Sequence, residues 1–488
     1  MEQYLNSIRL VKEHGVHKGD RTGTGTQSMF GQQERYSLRN NRLPVVTTKK
    51  IHLASVIHEL FWMLSGDTKV DYLIANGVRI WNEWVKPETA VYEPMTDEAV
   101  LKAVTALIGA PFVMYLHCMN DDSTPFIETV AEFESGMTPE TIQAFWDEYP
   151  VNREEIQYII GVSVTSWNRF ATEGFDEAKN PEGIRAEYNK RLYRALMHKE
   201  PERLVGGDLG AVYGKTWRNL EDTRVIPKYE WFDYEKRGFD FVADIPGTTM
   251  ETDRCVVTRR IDQIQDIIDQ LRTNPDSRRI IVCAWAPHLI DEQALPPCHA
   301  FIQFWTRELT VDERVQALDQ TQFEADAYHD KISGEITRGQ PPFDSAEQVK
   351  ALLRVCRGYE KATDEAVVEW LDQHGVPKRA ISCQLYQRSC DTFLGKPFNI
   401  TFYSLLTHML ANQMNMIAEE FIWTGGDVHI YSNHQEQTDL QLTREPKVLP
   451  TIRFKQEAIG KDIREIGVDD FVIENYEYHS HIAGKVAV

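Results

Sequence analysis

A cysteine and a histidine stand side by side where an apolar strand is expected to begin, in the stretch A-L-P-P-C-H-A-F-I-Q-F-W at 294–305. The prolines before Cys298 hold the chain extended, and the apolar residues after it favour a strand. Nearby arginines are expected to lower the pKa of a thiol at this position, and its thiolate could then act as a nucleophile. The alternative is an inert buried cysteine, as many single cysteines are. We interpret four others in that way: Cys255, Cys283, Cys356 and Cys390.

Arginines accumulate at the ends of apolar strand patterns. Arg278 and Arg279 precede one in P-D-S-R-R-I-I-V, Arg388 and Ser389 occupy a similar position in Y-Q-R-S-C-D, and Arg21 lies beside two glycines in D-R-T-G-T-G-T. Glycines allow backbone N–H groups to approach a phosphate, and a guanidinium can donate to it in a bidentate manner. The grouping therefore predicts a monophosphate site. Carboxylate pairing of each arginine, or an ordinary turn around Arg21, remains the alternative.

Two further polar residues lie among apolar neighbours. Glu59 falls within the apolar pattern H-E-L-F-W, so its pKa is expected to be raised and it is a candidate for proton transfer. Asn399, in K-P-F-N-I, carries an amide that donates and accepts together, which suits the edge of a pyrimidine. The alternatives are a solvated helix face for Glu59 and a turn at a strand end for Asn399.

The elements that must position these residues follow from periodicity. L-P-V-V-T-T-K-K, from residue 43, resembles a strand; Ile57, Leu60, Phe61 and Leu64 then predict an amphipathic helix that ends at Gly66. Aromatic and charged residues alternate in Y-E-W-F-D-Y-E-K-R-G-F-D-F, as in a strand or hairpin.

We interpret two segments as added helical modules. Thr138 and Pro139 start one helix, and the capping box Ser345-x-x-Gln348 starts another.

Composition limits the possible partners. The chain has 488 residues, 42% of them hydrophobic, with a formal net charge of −21, so nucleic acid is not an expected partner and any phosphate ligand should be small. Seven cysteines without a C-x-x-C pair argue against a disulfide framework and against a zinc site, so no metal is expected. We find no signal peptide and no membrane span, and we expect a cytoplasmic protein.

A series of motifs, in order, resembles the thymidylate synthase family: D-R-T-G-T-G-T, T-T-K-K-I-H, H-E-L-F-W, I-W-N-E-W, G-D-L-G-A-V-Y-G-K-T-W, D-S-R-R-I-I-V, L-P-P-C-H, S-C-Q-L-Y-Q-R-S-C-D-T-F-L-G-K-P-F-N-I, W-T-G-G-D-V-H-I-Y-S-N-H and K-V-A-V. The resemblance implies a single α+β domain, in which helices pack on a large mixed sheet and two copies dimerise sheet to sheet. It covers residues 1–84, 206–222, 261–305 and 380–488. The remainder forms three insertions: a helical one at 85–205, one at 223–260 and a helical one at 306–379.

The resemblance implies reductive methylation of deoxyuridine monophosphate (dUMP) to thymidylate, with methylenetetrahydrofolate as the carbon and hydride donor. It implies that Cys298 attacks C6, Glu59 manages protons at O4 through water, Asn399 pairs with N3–H and O4, and water near Tyr213 removes the C5 proton. Arg388 and Asp391 complete the implied catalytic set.

Binding roles follow from the same resemblance. Arg21, Arg388 and Ser389, with Arg278 and Arg279 from the partner subunit, would hold the phosphate, and His429 and Tyr431 would hold the ribose. The implied folate contacts are Lys49, His52, Ile80, Trp81, Trp84, Asp391, Gly395, Phe398 and Val488.

Two other functions compete with this interpretation. A dUMP hydroxymethylase forms the same intermediate but lets water attack it; Asn399 is compatible with it, whereas Trp81 and the terminal K-V-A-V favour the synthase. A non-catalytic family descendant would be expected to have lost some of these motif residues.

Overall fold

The computed structural model describes residues 1–20, 22–94, 202–317, 346–350 and 363–486. Arg21, Val488, the predicted helix at Thr138 and the predicted helix start at Ser345 lie outside these ranges. The chain divides into two compact units, Met1–Glu88 with Asp208–Val488, and Thr89–Gly207. All the candidate site residues that the structure describes belong to the first unit.

A six-stranded mixed sheet forms the centre of the first unit. Its strands, numbered along the chain, are β1 Val16–Lys18, β2 Thr26–Ser37, β8 Ile281–Cys283, β9 His299–Glu308, β10 Arg379–Asp391 and β11 Ile417–Tyr431, in the spatial order β1-β2-β11-β10-β9-β8. β10 and β11 are parallel, and every other pair is antiparallel. The ends of β10 and β11 therefore meet the beginnings of β2 and β9 at one edge of the sheet.

Helices cover one face of this sheet. They are α1 Glu2–His14, α2 Leu53–Ser65, α3 Asp71–Ala75, α4 Tyr213–Arg218, α6 Gln263–Thr273, α9 Gly395–Met414 and α10 Gln435–Leu442. α9 is buried on nearly all sides, and the Ser404 and Thr407 hydroxyls bond to carbonyls one turn earlier, which satisfies them in the core. α2 matches its predicted span and ends at Gly66, whose φ of 83° suits glycine.

The other face of the sheet is exposed in the single chain. Trp305 is 55% exposed, and Phe301 and Tyr386, which are register partners on β9 and β10, are also exposed. A contiguous exposed apolar surface of this kind is typical of an interface between proteins.

Smaller sheets lie outside this core. β3 Val91–Pro94 pairs with β4 Glu202–Gly206 in the second unit, and β12 Thr451–Phe454 pairs with β13 Phe471–Glu474 in the first. β5 Leu220–Pro227, β7 Arg254–Ile261 and β6 Asp240–Ile245 form a three-stranded antiparallel sheet with its own small core. This sheet coincides with the segment predicted as an insertion at 223–260.

Two local predictions are wrong. Residues 43–50 form no strand, although 43–49 are buried; the Thr401 hydroxyl bonds to the Pro44 carbonyl and the His408 ring to the Arg42 carbonyl, so helix α9 takes the place of a neighbouring strand. The alternating aromatic stretch is not a continuous strand either. Its first half is helical, α5 Trp231–Glu235, because Trp231 and Tyr234 pack on the small core at helical spacing, and only its end enters β6.

The segment predicted as an insertion at 306–379 begins and ends in the main sheet. β9 continues past the expected boundary at Trp305 to Glu308, which pairs with Arg379 at the start of β10, and the Leu309 N–H donates to the Lys378 carbonyl at 2.9 Å. Between these ends the structure describes α7 Val311–Gln316, a helical stretch at 346–350 and α8 Asp364–Gln373, which share a small apolar core.

In the described part of the chain no helix is long and apolar enough to cross a membrane.

Candidate active site

Cys298 lies at the sheet edge where β9 begins, and hydrogen bonds hold its backbone on both sides. The Cys298 and His299 N–H groups donate to the Tyr213 hydroxyl oxygen at 2.8 and 3.2 Å, and the Arg388 N–H donates to the Cys298 carbonyl at 2.9 Å. Since the Tyr213 oxygen accepts both bonds, its own O–H proton is left to donate toward a ligand or water.

The structure corrects the expectation that the pKa of the Cys298 thiol is lower than usual. Burial raises the pKa of the thiol above its usual value, and the nearby Arg388 guanidinium only partly opposes this effect. The sequence shows which residues adjoin Cys298, but not how far the fold removes the thiol from water. The unliganded side chain is therefore held mainly as a thiol.

Arg388 is engaged with the segment that precedes the cysteine. Its Nε donates to the Pro297 carbonyl at 2.9 Å and one terminal nitrogen to the Pro296 carbonyl at 2.6 Å, while its guanidinium carbon lies 5.3 Å from the centre of the Trp285 ring. Arg388 therefore positions the nucleophile's loop, with its remaining N–H groups as candidates for a phosphate.

Two aromatic side chains, Trp81 and Tyr213, connect the Glu59 carboxyl group to Cys298. Glu59, on α2, is 5% exposed and accepts a hydrogen bond from Trp81 Nε1 at 2.8 Å; the Trp81 ring lies 6.0 Å from the Tyr213 ring. Burial raises the Glu59 pKa to about 7, against the opposing effect of the Trp81 bond. A carboxyl with this pKa can exchange a proton near neutral pH.

Asn399 is in the first turns of helix α9, so neither a strand-end turn nor a surface position describes it. Trp423 Nε1 donates to Gln387 Oε1 at 2.9 Å, and Gln387 Nε2 donates to Asn399 Oδ1 at 3.0 Å. Because an indole nitrogen can only donate, this chain of bonds orients both amides and leaves Asn399 Nδ2 as a donor. His299 is also buried here, and burial lowers its pKa to about 4, against an opposing hydrogen bond to Asn399.

The end of β11 places two polar side chains at the same edge. His429 Nδ1 lies 3.2 Å from Asp427 Oδ1, and the His429 and Tyr431 ring centres are 5.0 Å apart. The loop that precedes β2 reaches this edge as well, since the Ser432 N–H donates to the Gly25 carbonyl at 2.9 Å and Gly25 has a φ of 80°. Arg21, expected in that loop, lies outside the described residues.

The predicted folate contacts differ in their exposure and in the hydrogen bonds that they already make. Ile80, Trp84 and Phe398 are exposed or half-buried, Gly395 begins α9, and the Asp391 carboxylate accepts from the N–H groups of Phe393 and Leu394 at the helix entrance. His52 caps α2 by accepting from the Ser55 N–H, which occupies one of its ring nitrogens.

Lys49, predicted to contact a glutamate tail, is engaged with Phe393. Lys49 is buried, its ammonium donates to the Phe393 carbonyl at 2.5 Å, and it lies 3.6 Å from the Phe393 ring centre. Burial lowers its pKa to about 7, with Asp391 opposing. The fold places the Lys49 side chain in the interior, and its contact with a glutamate tail stays a prediction.

The chain terminus contacts the same end of the sheet up to the last residues described. The Lys485 carbonyl accepts from Asn433 Nδ2 at 3.0 Å and from His434 Nε2 at 2.9 Å. The role predicted for Val488 lies outside the described residues.

Arg278 and Arg279 are not brought to Cys298 of their own chain. The Phe304 N–H donates to the Ile280 carbonyl at 2.9 Å, which places both arginines beside the middle of β9. At the usual rise per residue, Phe304 is about 20 Å from Cys298 along the strand. Both side chains are exposed, and within the described ranges neither guanidinium has a hydrogen-bond or ion-pair partner.

Sequence reasoning missed Gln387 and Trp423, because their contacts with Asn399 join residues on three different elements. The described residues contain no group of three or more histidine, cysteine or carboxylate side chains arranged for a metal, and no disulfide.

A family model described as thymidylate synthase matches residues 2–322 and 366–488, which is most of the chain. The gap in the match falls inside the segment between β9 and β10.

Proposed function

The chain belongs to the thymidylate synthase family, and on that premise we propose that it converts dUMP to thymidylate with methylenetetrahydrofolate, releasing dihydrofolate. The observation that carries the proposal is the cluster of Cys298, Tyr213, Trp81 and Glu59 at one edge of the sheet. It combines a nucleophile, a hydroxyl donor and a carboxyl group of near-neutral pKa. Asn399 adds an oriented amide for the pyrimidine edge.

Cys298 loses its proton and its sulfur forms a bond to C6 of the pyrimidine, which moves an electron pair to C5 and O4. The Asn399 amide donor stabilises the charge at O4, and Glu59 exchanges a proton with O4 through water. The raised pKa of the free thiol fits a step in which Cys298 keeps its proton at rest and loses it as the bond to C6 forms.

The folate co-substrate supplies the one-carbon unit to C5 and then a hydride. Ile80, Trp84 and Phe398 offer apolar surface of the kind that a flat ring system needs. Asp391 is the register partner of His429, and its carboxylate accepts from the N–H groups of Phe393 and Leu394 just before α9. Before the hydride transfer, the C5 proton leaves through water near the Tyr213 hydroxyl, and the bond between the one-carbon unit and the folate nitrogen breaks to leave an exocyclic methylene at C5. When the hydride adds to this methylene, the C5–C6 double bond is restored and sulfur leaves C6 as a thiolate, which takes up a proton to restore the thiol.

We propose a dimer in which the exposed sheet faces meet. Arg278 and Arg279 are too far from Cys298 of their own chain to share one nucleotide with it, and among the described residues of this acidic protein their guanidinium groups have no hydrogen-bond or ion-pair partner. Supplying them to the phosphate of the partner's nucleotide gives these charges a function. Ser389 and the remaining N–H groups of Arg388 would complete the phosphate site from within the chain.

Hydroxymethylation of dUMP is the second candidate, because it shares every step up to the one-carbon intermediate. The buried Trp81 and the docked segment around Lys485 favour the synthase, since both limit access of water to the intermediate.

Fluorodeoxyuridylate provides the test, because its C5 fluorine cannot leave as a proton and the covalent complex persists. With methylenetetrahydrofolate present, we expect mass spectrometry to find the adduct on the peptide that contains Cys298, and none on Cys298→Ser. Cys283→Ser is the matched control and should label normally. An adduct that forms in Cys298→Ser would contradict the assignment.

A further inference from the structure

The loop between α6 and β8, which carries Arg278 and Arg279, is held by contacts to the middle and far end of β9. The Thr306 hydroxyl donates to the Pro275 carbonyl at 2.7 Å, and Gln303 Nε2 donates to the Arg278 carbonyl at 3.1 Å. From α6, Gln270 Nε2 donates to the Arg279 carbonyl at 3.2 Å. The two guanidinium groups therefore extend from a backbone that other side chains hold in place.

Arg379 joins this loop to the point where β10 begins. Its side chain is 14% exposed, and its Nε and one terminal nitrogen lie 3.2 and 3.0 Å from the Thr306 hydroxyl oxygen. The same terminal nitrogen pairs with the Asp276 carboxylate, and the other lies 3.6 Å from Glu308.

The direction of these hydrogen bonds shows what Arg379 does. A threonine hydroxyl has one proton, and here that proton goes to the Pro275 carbonyl. Arg379 donates to the oxygen's lone pairs, so it selects the hydroxyl rotamer that holds Pro275. It also offsets the negative charge of Asp276, which is close to Arg278 and Arg279 in the chain.

From these contacts we infer that Arg379 is a positioning residue that sets the affinity of the partner subunit's active site for the dUMP phosphate. The inference rests on the proposed function, and it goes beyond it by assigning a role to the boundary of the segment 306–379. Arg379 forms a register pair with Glu308, so the hairpin that carries this segment also holds the phosphate loop.

Arg379→Met tests the inference, because methionine preserves much of the apolar stem and removes the donors. We expect the KM for dUMP to rise about fivefold to tenfold, as for one or two lost hydrogen bonds, with kcat and the KM for folate nearly unchanged. Thr306→Val, which keeps the side-chain shape, should reproduce the effect and covers the case in which Arg379→Met folds poorly. Arg453→Met, which removes an exposed ion pair with Glu474, is the matched control and should change neither constant.

Mixed dimers, co-expressed with two purification tags, show on which site Arg379 acts. When one chain carries both Arg379→Met and Cys298→Ser and the other is unchanged, the single active site borrows the altered loop, and its KM for dUMP should be raised. When the two substitutions are on different chains, the active site borrows an unaltered loop and should have the ordinary KM.

The opposite pattern, or an unchanged KM in both Arg379→Met and Thr306→Val, would overturn the inference while leaving the proposed function intact. If the unsubstituted dimer fails to convert dUMP at all, the proposed function is wrong and the inference is lost with it. The two failures are therefore distinguishable in one set of preparations.

Discussion

At the scale of single residues, burial governs the chemistry more than sequence neighbours do. Glu59 was identifiable from its position within an apolar helix pattern, and its pKa is indeed raised to about 7. The same reasoning failed for Cys298, because nearby arginines were weighed and desolvation was not. Lys49 shows the same limit: its motif is recognisable, but only the fold shows that its ammonium is buried on Phe393.

Ionisation of the buried Glu59 carboxyl should destabilise the folded protein, and the full effect should be present above about pH 7. Its folded pKa is about 7 and its unfolded value about 4.5, so the folded state binds more protons between these values and loses stability as pH rises through them. Glu59→Gln, which can still accept from Trp81, should raise the free energy of unfolding by about 3 kcal/mol at pH 8 and by much less at pH 5. Urea unfolding at both pH values measures this. The exposed Glu235→Gln is the control, and an equal gain at both pH values would contradict the account.

Asn399 should determine the choice of base. Its Oδ1 is already held by Gln387, so the amide presents one fixed arrangement to the pyrimidine edge. Asn399→Asp, when protonated, presents the pattern that cytosine requires, and we expect the ratio of kcat/KM for dUMP over deoxycytidylate to fall by about a hundredfold or more. Asn412→Asp, which adds a carboxylate elsewhere on α9, should leave the ratio unchanged. Equal use of both nucleotides by the unsubstituted protein would show that Asn399 does not select the base.

At the scale of elements, helix α2 and strand β9 could be predicted, because each has a clear period and a clear end. The false strand at 43–50 shows the limit of that reasoning, since an apolar run can be buried against a helix without entering a sheet. Contacts such as Trp423 to Gln387 could not be predicted, because residues distant in sequence meet only once the register of β10 and β11 is known.

The segment between β9 and β10 should be removable. Leu309 and Lys378 are already hydrogen-bonded across neighbouring antiparallel strands, so an Asn-Gly turn in place of residues 310–377 can close a two-residue hairpin. We expect a folded protein that still forms the adduct at Cys298. Its free energy of unfolding should fall by about 1–3 kcal/mol, because Arg307 and Arg39 lose their pairing with Glu313.

Glu313→Gln in the full-length chain is the control that separates the ion pairs from the rest of the segment. A deletion variant that is folded and dimeric and binds dUMP, yet makes no thymidylate, would show that the segment contributes to folate binding or closure.

At the scale of the whole molecule, the chain presents an exposed apolar sheet face and, at Arg278 and Arg279, two guanidinium groups without a partner among the described residues. The apolar run of β9 is visible in the sequence, but the alternation of exposed and buried residues along it is visible only in the structure. The distance between Cys298 and the arginine loop likewise follows only from the register of β8 with β9. A shared active site explains both features with one arrangement.

The most direct test of the whole account is analysis of the product. The purified protein, given dUMP and methylenetetrahydrofolate, should form thymidylate and dihydrofolate in equal amounts by mass spectrometry, and Cys298→Ser should form neither. Hydroxymethyl-dUMP accompanied by tetrahydrofolate, or thymidylate formed by Cys298→Ser, would contradict the proposed reaction.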